Sequence, residues 1–263
     1  MSIVSLPIHH LQQGKLLAQH DFLAEEQAIA LVYNGISHVV LMATPQNLAE
    51  LALGFSLSEG ILHTPQQLYD IEVQTSCEGW SVHLEIASSR FAALKERRRN
   101  MSGRTGCGLC GIDSLAAMMP TLPIVSHRQP IQAAHIANAL AEFHHRQPLR
   151  QQTGSLHGAA WVEAGNIIAV FEDVGRHNAL DKLLGYLAQQ NIDKTAGWIL
   201  VSSRASYEMV AKTAQLGIGC LVAVSAATAL AVRVAEQTNL TLIGFAHPQR
   251  QTIYTHSHYI QPE

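Results

Sequence analysis

The residues best suited to chemistry are Gly103-Arg104-Thr105-Gly106-Cys107-Gly108-Leu109-Cys110-Gly111, where two of the four cysteines form a C-x-x-C pair. Glycines flank both thiols, so the sulfurs are uncrowded and the backbone is free to move. Such a pair serves zinc binding, dithiol–disulfide exchange or nucleophilic sulfur chemistry. Sulfur chemistry needs thiolate, and a free cysteine titrates near about 8.5 unless a cation or helix N-terminus lowers it. Arg104, the run Arg97-Arg98-Arg99 and an expected helix starting at or just after Cys110 all favour thiolate at Cys107 and Cys110. A structural zinc would need two further ligands. No second C-x-x-C exists, and Cys77 and Cys220 have no cysteine or histidine at zinc spacing. His83-Leu84-Glu85 ahead of the pair has the H-x-E spacing of zinc nucleobase deaminases. It lies in an alternating, strand-like run, however, and Gly106 stands where that signature has proline.

The second dense stretch is Glu172-Asp173-Val174-Gly175-Arg176-His177-Asn178-Ala179-Leu180-Asp181-Lys182, at an expected strand-to-helix turn. Such turns are usual site positions in open α/β sheets. A capped helix start with a surface ion pair is the plainer explanation. Thr153-Gly154-Ser155-Leu156-His157, Ser202-Ser203-Arg204-Ala205-Ser206 and Phe245-Ala246-His247-Pro248-Gln249-Arg250 are further polar loops beside strand ends. Hydroxyls, an arginine and a helix N-terminus together suit phosphate. Several such loops at one sheet edge suggest a large phosphorylated ligand, although none is a Walker or Rossmann fingerprint.

The elements that must position these residues follow from periodicity. Residues 1–25 read as a loose lead-in. Residues 28–43 read as a hairpin turning at Asn34-Gly35. Thr44-Pro45 is expected to open a helix that runs through Gly60, with Thr44 as its N-cap. A second hairpin is expected over 71–87, then a helix ending in the charged run 95–99, then a short helix at 112–119. Residues 120–130 read as a linker, 133–145 as a helix and 148–154 as a boundary. From 156 onward a hairpin is followed by helix 177–190, strand 197–202, helix 206–216, strand 220–224, helix 228–237, strand 240–245 and a last strand at 252–255. Alternating strands and helices predict an α/β three-layer sandwich with parallel strands, preceded by a smaller α+β part. The expected division is 1–25, then 26–125 ending in the C-x-x-C loop, then 126–263.

Composition sets outer limits. The 263 residues are 48% hydrophobic and 14% charged, as in an ordinary folded protein, and the net charge of −3 gives no reason to expect nucleic-acid binding. No signal-peptide pattern opens the chain, and no apolar run reaches the roughly 18 residues of a membrane span, so a cytoplasmic protein without a membrane partner is expected. Reduced thiols follow from that compartment.

The order of several motifs is familiar. Asn34-Gly35, Met42-Ala43-Thr44-Pro45, Leu53-Gly54-Phe55 with Ser58-Glu59-Gly60-Ile61, the C-x-x-C stretch, Glu172 to Asn178, Ser206-Tyr207-Glu208-Met209-Val210 and Val224-Ser225-Ala226 follow one another. Together they resemble the formate dehydrogenase accessory sulfurtransferase family over about residues 25–256, and its enterobacterial form in particular. The resemblance implies a three-layer α/β sandwich with a mixed sheet, a fold related to cytidine deaminase, and a homodimer. It implies a sulfurtransferase that takes persulfide sulfur from a cysteine desulfurase. The acceptor is the molybdenum bis-molybdopterin guanine dinucleotide cofactor of the formate dehydrogenase catalytic subunit, with GDP or GMP as mimics. Cys107 matches the persulfide-bearing cysteine and Cys110 the second motif cysteine. Phe245, Ala246, His247, Pro248, Gln249 and Arg250 match the segment that binds the guanine dinucleotide part. The chain departs from common family patterns at Ser155, Ser203 and His247. A cofactor-binding chaperone without sulfur chemistry, a dithiol oxidoreductase and a zinc deaminase-like enzyme are the alternatives.

Overall fold

The computed structural model describes residues 2–77, 79–102, 121–126 and 129–262. Cys107, Cys110, the rest of 103–111 and the expected helix at 112–119 lie outside the described residues, and so does the freedom of the backbone expected around the two thiols.

The expected loose lead-in is instead a long antiparallel hairpin, β1 (Ile3–Gln12) and β2 (Lys15–Ala24). It turns at Gln13-Gly14, where φ is 50° and 77°, and its register is unbroken from Ile3↔Ala24 to Gln12↔Lys15. Its sequence hides this because apolar side chains occupy both faces. Val4 pairs with Leu23 on one face and Leu11 with Leu16 on the other, so the one-sided alternation that marks a strand is missing.

A four-stranded sheet follows, made of β3 (Gln27–Tyr33), β4 (Ile36–Ala43), β5 (Leu68–Ser76) and β6 (Gly79–Ile86) in the order β4-β3-β6-β5. The expected hairpin at Asn34-Gly35 is present, with φ of 45° and 79° at the turn. Asn34 also donates to Ile86 O and accepts from Ile86 N, which ties the turn to β6. Between β4 and β5 lies α1 (Leu48–Ser58), and α2 (Ser88–Ser102) carries the charged run. The expected start of α1 at Thr44-Pro45 is corrected. The helix begins after Asn47, whose φ is 54°. Thr44 is fully buried and donates both its N–H and its hydroxyl to Asp173, so it cannot cap the helix.

The second half is built on a six-stranded sheet. Its strands are β8 (His157–Glu163), β9 (Asn166–Asp173), β10 (Gly197–Val201), β11 (Cys220–Ala223), β12 (Thr241–His247) and β13 (Arg250–Ile253). The order is β13-β12-β11-β10-β8-β9. The β10–β11 and β11–β12 pairs are parallel and the other three antiparallel, so the sheet is mixed. A short parallel pair, β7 (Ile131–Gln132) with β14 (Ile260–Gln261), brings the chain's last segment beside the start of this half. The helices are α3 (Ala133–Phe143), α4 (Pro148–Thr153), α5 (Arg176–Gln189), α6 (Tyr207–Gln215) and α7 (Ala229–Gln237). The stretch expected as a boundary at 148–154 is therefore α4. Pro148 occupies its first turn, and Gly154, with φ of 70°, closes it.

Strand alternation explains the layers. Trp161, Ile199, Val201, Leu221 and Leu242 face one core with α5, α6 and α7, while Val162, Trp198, Leu200, Val222 and Ile243 face a second core with α3. Both faces are covered, so these strands read as near-continuous apolar runs. The first core also takes in Ile29, Leu31, Val82 and Leu84 of the N-terminal sheet and Leu51 of α1. Two glycines let α1 approach α5. A Cβ on Gly54 would sit 1.7 Å from Asp181 O, and one on Gly185 would sit 1.9 Å from Glu50 O.

Candidate functional site

One edge of the mixed sheet gathers the polar loops. β10, β11 and β12 all end there, β8 begins there and β9 ends there. The pairs Val201↔Ala159 and His157↔Asp173, and the bonds Ser202 N to Gly158 O, Val224 N to Val201 O and Phe245 N to Ser225 O, stitch these ends side by side. The segments 153–157, 173–176, 202–206, 224–228 and 245–250 therefore emerge together. This is the crevice side that open α/β sheets use for ligands.

Residues 172–182 divide at this edge. Their inner side is a buried polar lock. Asp173, fully buried, accepts from Thr44 N at 3.1 Å, Thr44 Oγ1 at 2.9 Å, Gly175 N at 2.8 Å and Asn178 Nδ2 at 3.0 Å. It also pairs with Lys182 Nζ at 2.6 Å, and that ammonium donates to Thr44 Oγ1 at 2.7 Å. Burial pushes the Lys182 pKa down while Asp173 opposes the shift. Asn178 reaches Met42 O at 2.8 Å as well, so the lock fastens the end of β4 to α5. One turn on, Asp181 holds Lys212 of α6 at 2.9 Å, with Ser58 Oγ donating to Asp181 at 2.7 Å and Glu59 pairing with the same lysine at 2.9 Å. Burial alone would lower the Lys212 pKa, but Asp181 and Glu59 more than offset it and keep the ammonium charged. The motif is thus more than a capped helix start, and its ion pair is internal.

The outer side is basic and less satisfied. Arg176 begins α5, and its Nε is buried with no hydrogen-bond partner among the described residues. His177 Nε2 lies 3.5 Å from Glu208 Oε2 without a formed hydrogen bond, and the two attract as opposite charges only when the ring is protonated. Burial, and then the Arg176 guanidinium, hold the His177 pKa below its ordinary value. His157 is lowered by burial, then by Arg150 and Arg176. Arg150 and Arg176 thus place positive charge near the start of α5, and His157 and His177 beside them add to it only when protonated. Glu172 feels the Arg150 charge but is held mainly by backbone. Its carboxylate accepts Arg150 N at 2.7 Å and Leu149 N at 3.1 Å, which caps the first turn of α4.

The 245–250 hairpin closes one end of this edge. Phe245 has φ of 46° and is exposed, and the register of β12 against β13 shifts between Gly244 and His247. That bulge turns Ala246 inward, at 4% exposure, and leaves His247, Gln249 and Arg250 outside. Gln251 Nε2 fastens the turn through His247 O at 2.7 Å. Beside it is a cavity of about 160 Å³, lined in part by Ala246, His247, Pro248, Ser202, Arg150 and Gln147. Gln147 is 2% exposed, donates to Phe143 O, and leaves its Oε1 without a donor among the described residues.

The structure therefore brings together the 172–177, 202–206 and 245–250 segments read from the sequence. The hydroxyls of 202–206 are largely turned to the protein itself. Ser202 Oγ accepts Gly158 N, Ser203 donates to its neighbour's carbonyl, and Ser206 donates to Glu208. Arg150, Gln147 and the capping role of Glu172 were missed by reading 148–154 as a boundary. Pro148 followed six residues later by Gly154 is a short-helix signature that could have found them. His83 and Glu85 lie in β6, with His83 hydrogen-bonded to Ser81, as the strand reading of the H-x-E match requires. Among the described residues no helix is long and apolar enough to cross a membrane.

Comparison with known proteins adds the identity of the fold. A family model described as the FdhD/NarQ family matches residues 24–261. A sulfur carrier protein FdhD from Cupriavidus necator is 52% identical over 258 residues, covering 96% of this chain and 88% of the relative. A solved structure described as a formate dehydrogenase accessory protein, from Desulfotalea psychrophila, superposes with a TM-score of 0.78 at 20% identity, covering 99% of this chain and all of that one. That structural likeness concerns the α/β fold, whereas the family match and the 52% identity extend over nearly every element described above. The chain belongs to the FdhD/NarQ family.

Proposed function

We propose that this protein is a sulfur carrier for formate dehydrogenase. It accepts sulfur on Cys107 from a cysteine desulfurase and delivers it to the guanine-dinucleotide form of the molybdenum cofactor, which is its substrate and not a resident group. The observation that carries the reading is the 52% identity to a sulfur carrier over 96% of the chain. The basic edge supports it, since Arg150, Arg176, His157 and His177 beside the Ala246 cavity suit a ligand rich in phosphate. The 245–250 hairpin would take the nucleotide end.

The chemistry balances with two thiols. The Cys107 thiolate attacks the outer sulfur of the donor's persulfide. A new S–S bond forms on Cys107, the donor's S–S bond breaks, and the donor leaves as a thiolate. For delivery, the Cys110 thiolate attacks the Cys107 sulfur. A Cys107–Cys110 disulfide forms and the outer sulfur departs as hydrosulfide toward the metal. That sulfur gains two electrons, the two cysteines lose them, and a cellular dithiol reopens the disulfide.

The test is mass spectrometry after incubation with desulfurase and cysteine. An adduct of about 32 Da, one sulfur atom, is expected on Cys107 and absent from Cys107→Ala. If Cys107→Ala protein still supports sulfuration of formate dehydrogenase, the carrier reading is wrong and a cofactor chaperone takes its place. Stoichiometric zinc in the purified protein would point to the deaminase-like alternative.

A further inference from the structure

The β1–β2 ribbon stands outside both cores, and α4, packed against β2, is its main neighbour among the described residues. A two-stranded ribbon is marginal in water unless further strands or a helix cover a hydrophobic face. The register sorts its side chains into two faces. One carries Leu6, Leu17 and Leu23 together with both charged residues of the ribbon, Lys15 and Asp21. The other has no lysine, arginine or carboxylate. On that uncharged face Leu11, Leu16 and Phe22 are 73%, 69% and 54% exposed. Depletion of charge around large apolar side chains is the composition of an interface core.

The order of side chains along this face says what covers it. Its middle row is Pro7 paired with His20. One row from the middle, Ala18 lies on the tip side and Phe22 on the base side of the same strand. Two rows out, Leu11 and Leu16 at the tip answer Ile3 and Ala24 at the base. A contact between identical copies about a two-fold axis must be complementary to itself. Turning a second ribbon end for end about an axis through the middle row stacks each strand on its own copy. Phe22 then lies over Ala18, Leu16 over Ala24 and Leu11 over Ile3. The largest side chains thus fall on small or apolar ones, as facing sheets about 10 Å apart require.

We propose that two copies of this chain pair through this face, ribbon on ribbon and tip over base. The pairing is independent of the sulfur-carrier reading. Half of the two ten-residue strands lie on the face, so each copy contributes about ten side chains against the 20–30 of a standard interface, and association in the micromolar range is expected. Sedimentation equilibrium of the full-length protein from about 1 to 100 μM tests it. Leu16→Lys with Phe22→Lys should weaken pairing at least about tenfold. Leu6→Lys with Leu17→Lys, on the opposite face, should leave it within about threefold. None of these residues belongs to either core, so the variants should keep the wild-type circular dichroism. Side-chain size tests the register. Ala18→Phe sets two phenylalanines against each other and Phe22→Ala leaves a gap, so each alone should weaken pairing. Combined, they restore large over small and should recover it. A protein that stays monomeric at about 100 μM overturns the proposal and leaves the face to a different partner. So does a dimer that survives Leu16→Lys with Phe22→Lys, or one that Leu6→Lys with Leu17→Lys breaks equally. A combined Ala18→Phe, Phe22→Ala variant no better than either single one refutes the tip-over-base arrangement.

Discussion

Asp173 and Arg176 are separated by two residues, yet their surroundings differ in kind. The Asp173 carboxylate is fully buried and meets Thr44, Gly175, Asn178 and Lys182. The Arg176 guanidinium has an Nε that is equally hidden from water but lacks an acceptor among the described residues. The same contrast holds one step further along each side. Asp181 is closed by Ser58 and Lys212, whereas His177 stands off from Glu208. Polar groups that hold elements together are saturated, because a buried charge without partners is strongly destabilising. The groups left short, Arg176 and His177, lie at the edge where the proposed ligand would supply the missing partner. In a motif this dense in polar residues, partner count separates the two roles better than burial does.

The largest test of this contrast is Lys182→Met. It strands the Asp173 carboxylate in a dry interior, and a loss of about 3–5 kcal/mol is expected from urea unfolding. A loss under about 1 kcal/mol would mean that the lock is not structural. Gly54→Ala comes next. Its Cβ would overlap Asp181 O and force α1 away from α5, destabilising by about 3 kcal/mol or more. An unchanged Tm would show that the two helices have room to spare. Arg176→Gln should behave in the opposite manner. Its stability should stay within about 0.5 kcal/mol of wild type. Its affinity for GDP, the nucleotide mimic, should fall about tenfold by calorimetry. Equal loss of stability and affinity would erase the distinction between the two sides.

The smallest expected effect is with pH. His157 and His177 have folded pKa values below 6.5, lowered first by burial and then by neighbouring arginines. Between that ordinary value and the lowered ones the unfolded chain binds more protons. Their contribution to stability is therefore complete above about pH 6.5 and is lost as pH falls through that window. His38, lowered by burial and by Arg97 and Arg98, adds to the same slope. An anion on the basic edge favours the protonated rings, so GDP binding should take up protons and tighten as pH falls. His157→Gln combined with His177→Gln should flatten the GDP profile, which calorimetry in buffers of different ionisation heat would reveal. A profile unaffected by both substitutions would place the anion elsewhere.

Much of this molecule could be read directly. The Asn34-Gly35 hairpin, the hairpin of β8 and β9, and the run from α5 to β12 fall where local signals put them, because turn residues and strand period act over a few neighbours. The β1–β2 hairpin escaped because its apolar residues lie on both faces. The start of α1 moved because Thr44 takes Asp173, a residue 129 positions away, over its own helix. Short α4 was hidden behind Pro148 and Gly154, and with it Arg150 and Gln147. Cys107 and Cys110 were singled out by residue type and spacing alone.

By itself the sequence determined the chemistry available, a paired thiol in a glycine-rich setting, and the α/β class with its polar strand-end loops. These are properties of composition and near-neighbour spacing. Only the tertiary structure decided that Asp173, Asn178, Lys182, Asp181 and Lys212 are internal fastenings, while Arg150, His157, Arg176 and His177 face one edge. That division depends on which partners arrive from β4, α1, α4 and α6. Those contacts cross more than a hundred residues in several cases, and no local pattern encodes them.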